Sequence, residues 1–200
     1  MIDATKAGLT SPGDGVSRPP ALALLELASV ARGMVVADAT VKRAAIQLLR
    51  AQAVTPGKFL VLFAGYEEEV LQSWETGRDL AGPALLDQLY LPFADAQLHP
   101  ALAGELSPVA VDALAIVETF SVAAALLSAD RALKTAEVDL VRMRLASGLG
   151  GKAFYVLSGD LDQVEAALRA ARSVIHGGML LATEIIPRPH PDFVSRLWGS

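Results

Sequence analysis

The fold is decided by a stretch of sequence that occurs twice. Residues 24–50 read LLELASVARGMVVADATVKRAAIQLLR and residues 116–142 read IVETFSVAAALLSADRALKTAEVDLVR, so the two stretches align without a gap at an offset of 92. Beyond them the offset is 94 where Gly57 matches Gly151, and it is 95 near the end of each copy. An internal repeat constrains every later assignment, because both copies must contain the same elements. The chain is therefore predicted to be a tandem duplication.

The repeat divides the chain into four parts. Residues 20–93 are the first copy, residues 94–112 are a connector, and residues 113–200 are the second copy with a C-terminal extension. Residues 1–19 mix charged residues with Ser, Thr, Gly and Pro and contain no apolar core of a signal peptide. We expect this segment to be a flexible N-terminal arm.

Each copy shows the same order of periodicities: strand, helix, strand, strand, helix, strand. This order is that of a ferredoxin-like βαββαβ unit, in which both helices cover one face of an antiparallel sheet. The fold class is therefore α+β, as a tandem duplication of this unit, and the uncovered sheet faces and edges remain available to a neighbour. The predicted strands are 21–27, 46–54, 58–64, 84–91, 113–119 and 179–186, a second hairpin spans 138–158, and the predicted helices include 66–81, 122–136 and 160–175.

Composition excludes several classes of function. The 200 residues carry 17 basic and 22 acidic side chains, for a formal charge of −5, whereas a nucleic-acid partner requires a basic surplus on one face. Charged residues interrupt every apolar stretch, so no membrane partner is expected. The sequence contains no cysteine, which excludes disulfides, thiolate metal sites and a cysteine nucleophile. We expect no cofactor and no metal.

Two glutamates at matching positions are the clearest candidates for chemistry. Glu26 and Glu118 lie inside the first strand of each copy, and paired carboxylates can divide acid and base roles. No histidine or nucleophile is placed by the sequence to cooperate with either of them. A structural role as hydrogen-bond acceptors is therefore favoured over catalysis.

The repeated motifs resemble those of bacterial microcompartment shell proteins of the tandem-domain, trimer-forming class. The markers are Leu-Glu-Leu at 25–27 and Val-Glu-Thr at 117–119, Ala-Asp followed by Lys in each first helix, and Ile-Pro-Arg-Pro-His at 186–190. The resemblance implies a structural protein, not an enzyme, located in a microcompartment shell in the bacterial cytoplasm. It implies that three copies form a flat pseudohexamer, which tiles with hexameric and pentameric shell proteins of the same compartment.

The resemblance also nominates functional residues. The contacts between neighbouring tiles fall on Lys42, Lys134 and Arg188. The two hairpin turns surround a central pore, and their residues are Thr55, Pro56, Gly57, Ser147, Gly148, Leu149 and Gly150.

One departure from the family changes the expected role of the pore. Thr55-Pro56-Gly57-Lys58 resembles a Cys-Pro-Gly-Lys turn in family members whose three turn cysteines hold an iron–sulfur cluster. A threonine hydroxyl is a poor iron ligand, so no cluster is expected here. A small polar opening that passes small polar metabolites is expected instead. A small-molecule-binding regulator, or an enzyme with its site between the two halves, remains the alternative on this fold.

Overall fold

The computed structural model describes residues 21–106 and 109–197, and over these residues the chain forms eight strands and six helices. The arm expected at residues 1–19 lies outside the described residues. The first copy contains β1 (Ala21–Leu27), α1 (Val30–Arg43), β2 (Gln47–Val54), β3 (Lys58–Gly65), α2 (Glu67–Ala81) and β4 (Leu85–Leu91). The second copy contains β5 (Ala113–Thr119), α4 (Val122–Leu133), β6 (Asp139–Leu145), β7 (Ala153–Gly159), α5 (Leu161–Val174) and β8 (Leu180–Pro187). Two short helices were not predicted: α3 (Leu98–Ala103) and α6 (Pro191–Leu197).

The strand pairing confirms the ferredoxin-like topology. The two sheets have the orders β2-β3-β1-β4 and β6-β7-β5-β8, and every pair is antiparallel. The register repeats as well: Leu24 is opposite Leu62 in the first sheet, and Ile116 is opposite Val156 in the second. Each of these residues lies at the offset that the sequence alignment gave, so the two domains are built alike.

The first helix of each copy begins at a serine whose side chain caps it. The Ser29 side chain accepts a hydrogen bond from the Arg32 N–H at 3.2 Å, and Ser121 caps α4 in the same way. Asp160 occupies the N-cap position of α5, but its side chain makes no capping hydrogen bond. Asp160 therefore stands at the helix start, a position that its residue type favours, without a side-chain bond to the first turn.

Strand β1 is buried along its whole length because both faces of its sheet are covered. On one face, Leu25 and Val61 pack in a core with Val36 of α1 and with other residues of the first domain. On the other face, Leu24 belongs to a core that includes Leu126 of α4, from the second domain. The sheet face that the topology left free is thus occupied by the other half of the same chain.

The domain interface and the paired turns

Helix α4 is the main element that joins the two domains. It contacts β1 and β4 of the first domain while also packing on its own sheet. Its small apolar residues, among them Ala125 and Ala129, are fully buried, and they allow the helix to lie close to both sheets. One continuous apolar core therefore extends from the first domain into the second.

Glu26 lies at this interface and is fully buried. Its Oε1 accepts a hydrogen bond from the backbone N–H of Ala123 at 2.8 Å. Ala123 is in the first turn of α4, where backbone N–H groups have no partner within the helix and carry partial positive charge. The carboxylate satisfies one of these donors, which is the structural role that the sequence favoured over acid–base chemistry.

The charge of Glu26 is only partly compensated. Burial raises the pKa of Glu26, while the hydrogen bond from Ala123 and the ammonium of Lys58 oppose that rise. The Lys58 Nζ is 3.5 Å from Oε2, and no described residue donates a hydrogen bond to that oxygen. Glu26 is therefore a buried acid held by one backbone donor and one partly exposed cation.

The two hairpin turns nominated as pore residues lie against each other. The Gln52 side chain donates to the Ser147 Oγ at 3.3 Å, and a Cβ placed on Gly151 would lie 3.2 Å from the Thr55 carbonyl oxygen. Most of the nominated residues are exposed, namely Thr55, Pro56, Gly57, Ser147, Gly148 and Gly150, whereas Leu149 is half-buried. The structure thus brings both turns to one end of the domain interface and leaves their tips open to solvent.

The two lysines nominated for tile edges have different surroundings despite their matching positions. Lys42 is exposed and forms an ion pair with Asp38 at 2.6 Å. Lys134 forms the equivalent ion pair with Asp130 at 2.7 Å, and it also donates to the carbonyl oxygen of Phe93 at the end of the first domain. Lys134 therefore already makes a contact between domains that Lys42 lacks within the chain.

Arg188, the third edge residue, lies just beyond the end of β8. Its backbone N–H donates to the Asp112 carbonyl at 2.9 Å, its φ is 50°, and the residue is exposed. Among the hydrogen bonds and ion pairs of the described residues, none joins Arg188 to Lys42 or Lys134. The edge residues do not form one cluster within a single chain.

The two unpredicted helices are held by arginines at matching positions. Arg50 of β2 donates to the Leu102 carbonyl of α3 at 3.1 Å, and Arg142 of β6 donates to the Leu197 carbonyl of α6 at 3.2 Å. The arginines are related by the offset of 92 and the carbonyls by the offset of 95. The repeat therefore includes a terminal helix in each copy, although at the offset of 95 the two helices share only the identical pair Leu102 and Leu197.

Helix α3 connects the two domains through the Gln97 side chain beside its first turn. Gln97 donates to the Val138 carbonyl at 3.1 Å and accepts the Leu140 N–H at 2.8 Å. These are backbone groups at the start of β6, an edge strand of the second sheet. The segment assigned as a connector is thus an integral part of the domain interface.

The side chains of the paired turns do not fit a metal cluster. The sequence has no cysteine, and no group of three His, Asp or Glu residues in the described part of the chain is arranged to hold a metal ion. Thr55 and Ser147 contribute hydroxyl groups to the turns, whereas iron–sulfur clusters are held by thiolates. None of the helices in the described ranges has the length and apolar character that a membrane span requires.

Comparison with known proteins defines the class to which this architecture belongs. The BMC domain family matches residues 21–93 and again residues 113–189. The chain is 43% identical over 171 residues to the bacterial microcompartment shell protein PduT of Citrobacter freundii, covering 85% of this chain and 93% of that protein. It is 37% identical over 83 residues to the shell protein PduA of the same organism, covering 40% of this chain and 86% of PduA.

A solved structure shows the same tandem arrangement. The chain superposes on a microcompartment protein from Desulfitobacterium hafniense DCB with a TM-score of 0.81 and 38% sequence identity, covering 89% of this chain and 99% of that one. The chain belongs to the bacterial microcompartment shell protein family. It is a structural component of a microcompartment shell with two BMC domains, not an enzyme, and it assembles with other shell proteins.

Proposed function

We propose that three copies of this chain form a ring of six similar domains, a pseudohexameric tile that assembles with hexameric and pentameric shell proteins. The observation that carries the proposal is the contact between the two turns at one end of the domain interface, through Gln52 and Ser147. Each of the six similar domains places a turn at the same end of its interface. When the ring closes, all of these turns therefore lie around its central axis.

The ring leaves a polar opening at its centre. The tips of the turns present the Thr55 hydroxyl and the backbone groups of Gly57, Gly148 and Gly150, and these residues are exposed in the chain. Hydroxyls and amides form hydrogen bonds with small polar solutes without binding them tightly. The opening therefore suits the passage of small polar metabolites through the shell, with no cofactor in the pore.

The outer rim of the ring makes the contacts between tiles. Lys42, Lys134 and Arg188 carry exposed cationic side chains on each chain. Such groups donate hydrogen bonds to backbone carbonyls or carboxylates of an adjacent tile.

Native mass spectrometry and electron microscopy test the tile. A species of three 20.9 kDa chains, and flat sheets, tubes or closed shells on co-expression with a hexamer-forming shell protein, support the proposal. A monomer or dimer that never enters such assemblies contradicts it.

Passage through the pore is tested in shells that enclose a reporter enzyme with a small polar substrate. Thr55→Tyr should slow substrate turnover in intact shells but not after the shells are lysed, whereas Thr135→Tyr, away from the turns, should have no effect.

A further inference from the structure

Lys58 is the first residue of β3, directly after the first of the paired turns, and the hairpin fixes its backbone. It lies opposite Val54 in the register of β2 and β3, and the Gly57 N–H donates to the Val54 carbonyl at 2.9 Å. Side chains alternate between the two faces of a strand, so Lys58 shares a face with Leu60. Leu60 lies opposite Glu26 of β1. The Lys58 side chain therefore begins at the turn and points along the sheet face that carries Glu26.

The Lys58 side chain contacts two separate places at the domain interface. Its Nζ lies 3.5 Å from the buried Glu26 Oε2, and the other oxygen of that carboxylate accepts the Ala123 N–H of α4. Its Cε lies against Gly151 of the second turn, 3.4 Å from the position that a Cβ would take there. The methylene stem of a lysine can pack on other groups while its ammonium reaches an acid further along. Lys58 thus extends from the first turn, across the second turn, to an acid that is bound to α4.

The first turn packs around Gly151 of the second turn. Gly151 is buried, and a Cβ at this position would lie 3.2 Å from the Thr55 carbonyl oxygen and 3.4 Å from the Pro56 Cδ, as well as close to Lys58. Three residues of the first turn therefore contact one residue of the second, at distances that leave little room for a side chain.

Lys58 is the most strongly held of the contacts between the turns. The hydrogen bond from Gln52 to Ser147 joins two neutral, exposed side chains at 3.3 Å. The Lys58 ammonium, by contrast, is attracted to a carboxylate that is 0% exposed. A charged contact inside the protein is stronger than a neutral one in water. The distance between the turns therefore depends mainly on the pair of Lys58 and Glu26.

We propose that Lys58, held by Glu26, is a positioning residue that fixes the spacing of the two turns and thereby sets the width of the opening that the turns surround. While Glu26 binds the ammonium, the stem keeps the first turn packed on Gly151. Without that partner, the flexible four-carbon stem no longer ties the two turns together, and they move apart. This inference rests on the pore proposed above, and it adds the residue that determines the size of the largest solute that passes.

Crosslinking within one chain measures the spacing directly, because the sequence contains no cysteine of its own. Gln52→Cys and Ser147→Cys are introduced together, at two side chains that are in contact, and bismaleimides of increasing span are compared. In the otherwise wild-type protein the shortest reagent should give the most intrachain product on a denaturing gel. When Lys58→Met and Glu26→Gln are added, the yield with the shortest reagent should fall several-fold, and a longer reagent should give the most product.

The two substitutions are made together so that the protein still folds. A buried carboxylate that has lost its cation destabilises a protein strongly, whereas Gln at position 26 keeps an acceptor for the Ala123 N–H without the charge. Circular dichroism shows whether each variant is folded. Glu165→Gln with Arg169→Met is the matched control, because it removes an exposed ion pair of 3.7 Å on α5, and it should leave the preferred reagent unchanged. Lys58→Arg keeps the cation and should retain the preference for the shortest reagent.

Passage through intact shells provides the second readout, which a merely stabilising ion pair would not change. Shells that enclose a reporter enzyme are supplied with polar substrates of increasing size. Shells with Lys58→Met and Glu26→Gln should turn over the larger substrates several-fold faster than wild-type shells, and this difference should vanish after lysis.

The outcomes separate this inference from the pore itself. If Thr55→Tyr slows turnover in intact shells but the paired variant changes neither the preferred reagent nor the size limit, the role of Lys58 is overturned and the pore stands. A change of reagent without a change of size limit also overturns the inference, because the spacing then does not set the opening. If Thr55→Tyr has no effect on turnover in intact shells, the pore is contradicted.

Discussion

The carboxylate of Glu26 in the first domain accepts the backbone N–H of Ala123 in the second domain at 2.8 Å, although the two residues are 97 positions apart in the chain. This bond joins a strand of one domain to the first turn of a helix of the other, inside a core that both domains share. The two halves are therefore expected to unfold together rather than as independent domains.

The burial of Glu26 predicts a pH dependence of stability. Its pKa in the folded protein is raised above the ordinary value of 4.5, so the folded state holds the proton more tightly than the unfolded chain does. The contribution of Glu26 to stability is therefore fully present below pH 4.5 and is lost as the pH rises through the folded-state pKa. Glu26→Gln cannot titrate, so the difference in unfolding free energy between wild type and Glu26→Gln should fall over that range. Urea unfolding at a series of pH values measures this difference.

Gln52→Ala is the control for that experiment. It removes a contact between the domains, the hydrogen bond to Ser147, but no titratable group. Its unfolding free energy should run parallel to that of the wild type at all pH values. A Glu26→Gln profile that also runs parallel to the wild type would show that the Glu26 carboxyl does not carry the predicted shift.

The contact between the turns predicts different costs for two neighbouring glycines. Gly150 has a φ of 61° and open space around it, so Gly150→Ala should cost about 1–2 kcal/mol for the left-handed backbone alone. Gly151 has a φ of 80°, and an added Cβ would lie 3.2 Å from the Thr55 carbonyl oxygen. Gly151→Ala should therefore cost about 1 kcal/mol more than Gly150→Ala, measured by urea unfolding. Equal costs would mean that the turns are farther apart than described.

The arginines of the edge strands predict local effects on the short helices. Arg50→Met removes the donor to the Leu102 carbonyl and should lower the stability of α3 by about 1–3 kcal/mol. Hydrogen exchange should accelerate at residues 98–103 but not at residues 191–197. The matched variant Arg142→Met should show the reverse pattern, because Arg142 binds the Leu197 carbonyl of α6. Uniform acceleration in either variant would argue that these bonds do not hold the helices individually.

The proposed edge contact of Arg188 predicts a loss of tiling without a loss of the ring. Arg188→Ala leaves the backbone bond to Asp112 in place and removes only the exposed guanidinium. The protein concentration needed to form sheets should rise about ten-fold, as expected for a charged hydrogen-bond donor, while the trimer persists. Electron microscopy over a concentration series measures this, and Arg169→Ala on the outer face of α5 is the control. Sheets that form equally well from the Arg188→Ala protein would exclude this residue from the edge.

Much of the fold could be predicted because the periodicities are strong and occur twice. Strands β1 and β5 begin and end where the sequence predicted them, and the order of elements is the predicted one. Helix α4 ends at Leu133 instead of residue 136, and α3 and α6 were missed altogether. These two helices are only one to two turns long, and the hydrogen bonds to Arg50 and Arg142 come from residues distant in the chain. Short helices of this kind have no stability of their own for a local pattern to reveal.

The sequence by itself determined the duplication, the α+β class, the positions of the two turns and the absence of thiolate ligands. The tertiary structure decided which copy's helix covers which sheet. Glu26 and Glu118 occupy the same place in the repeat, yet Glu26 is buried and Glu118 is half-exposed. The physical reason is that α4 of the second domain packs on the first sheet and brings the Ala123 N–H to Glu26, whereas Glu118 lies 3.9 Å from the Lys152 Nζ and stays partly open to solvent. The burial of a side chain depends on which surface of another domain packs against it, so residues at matching positions of the repeat have different environments.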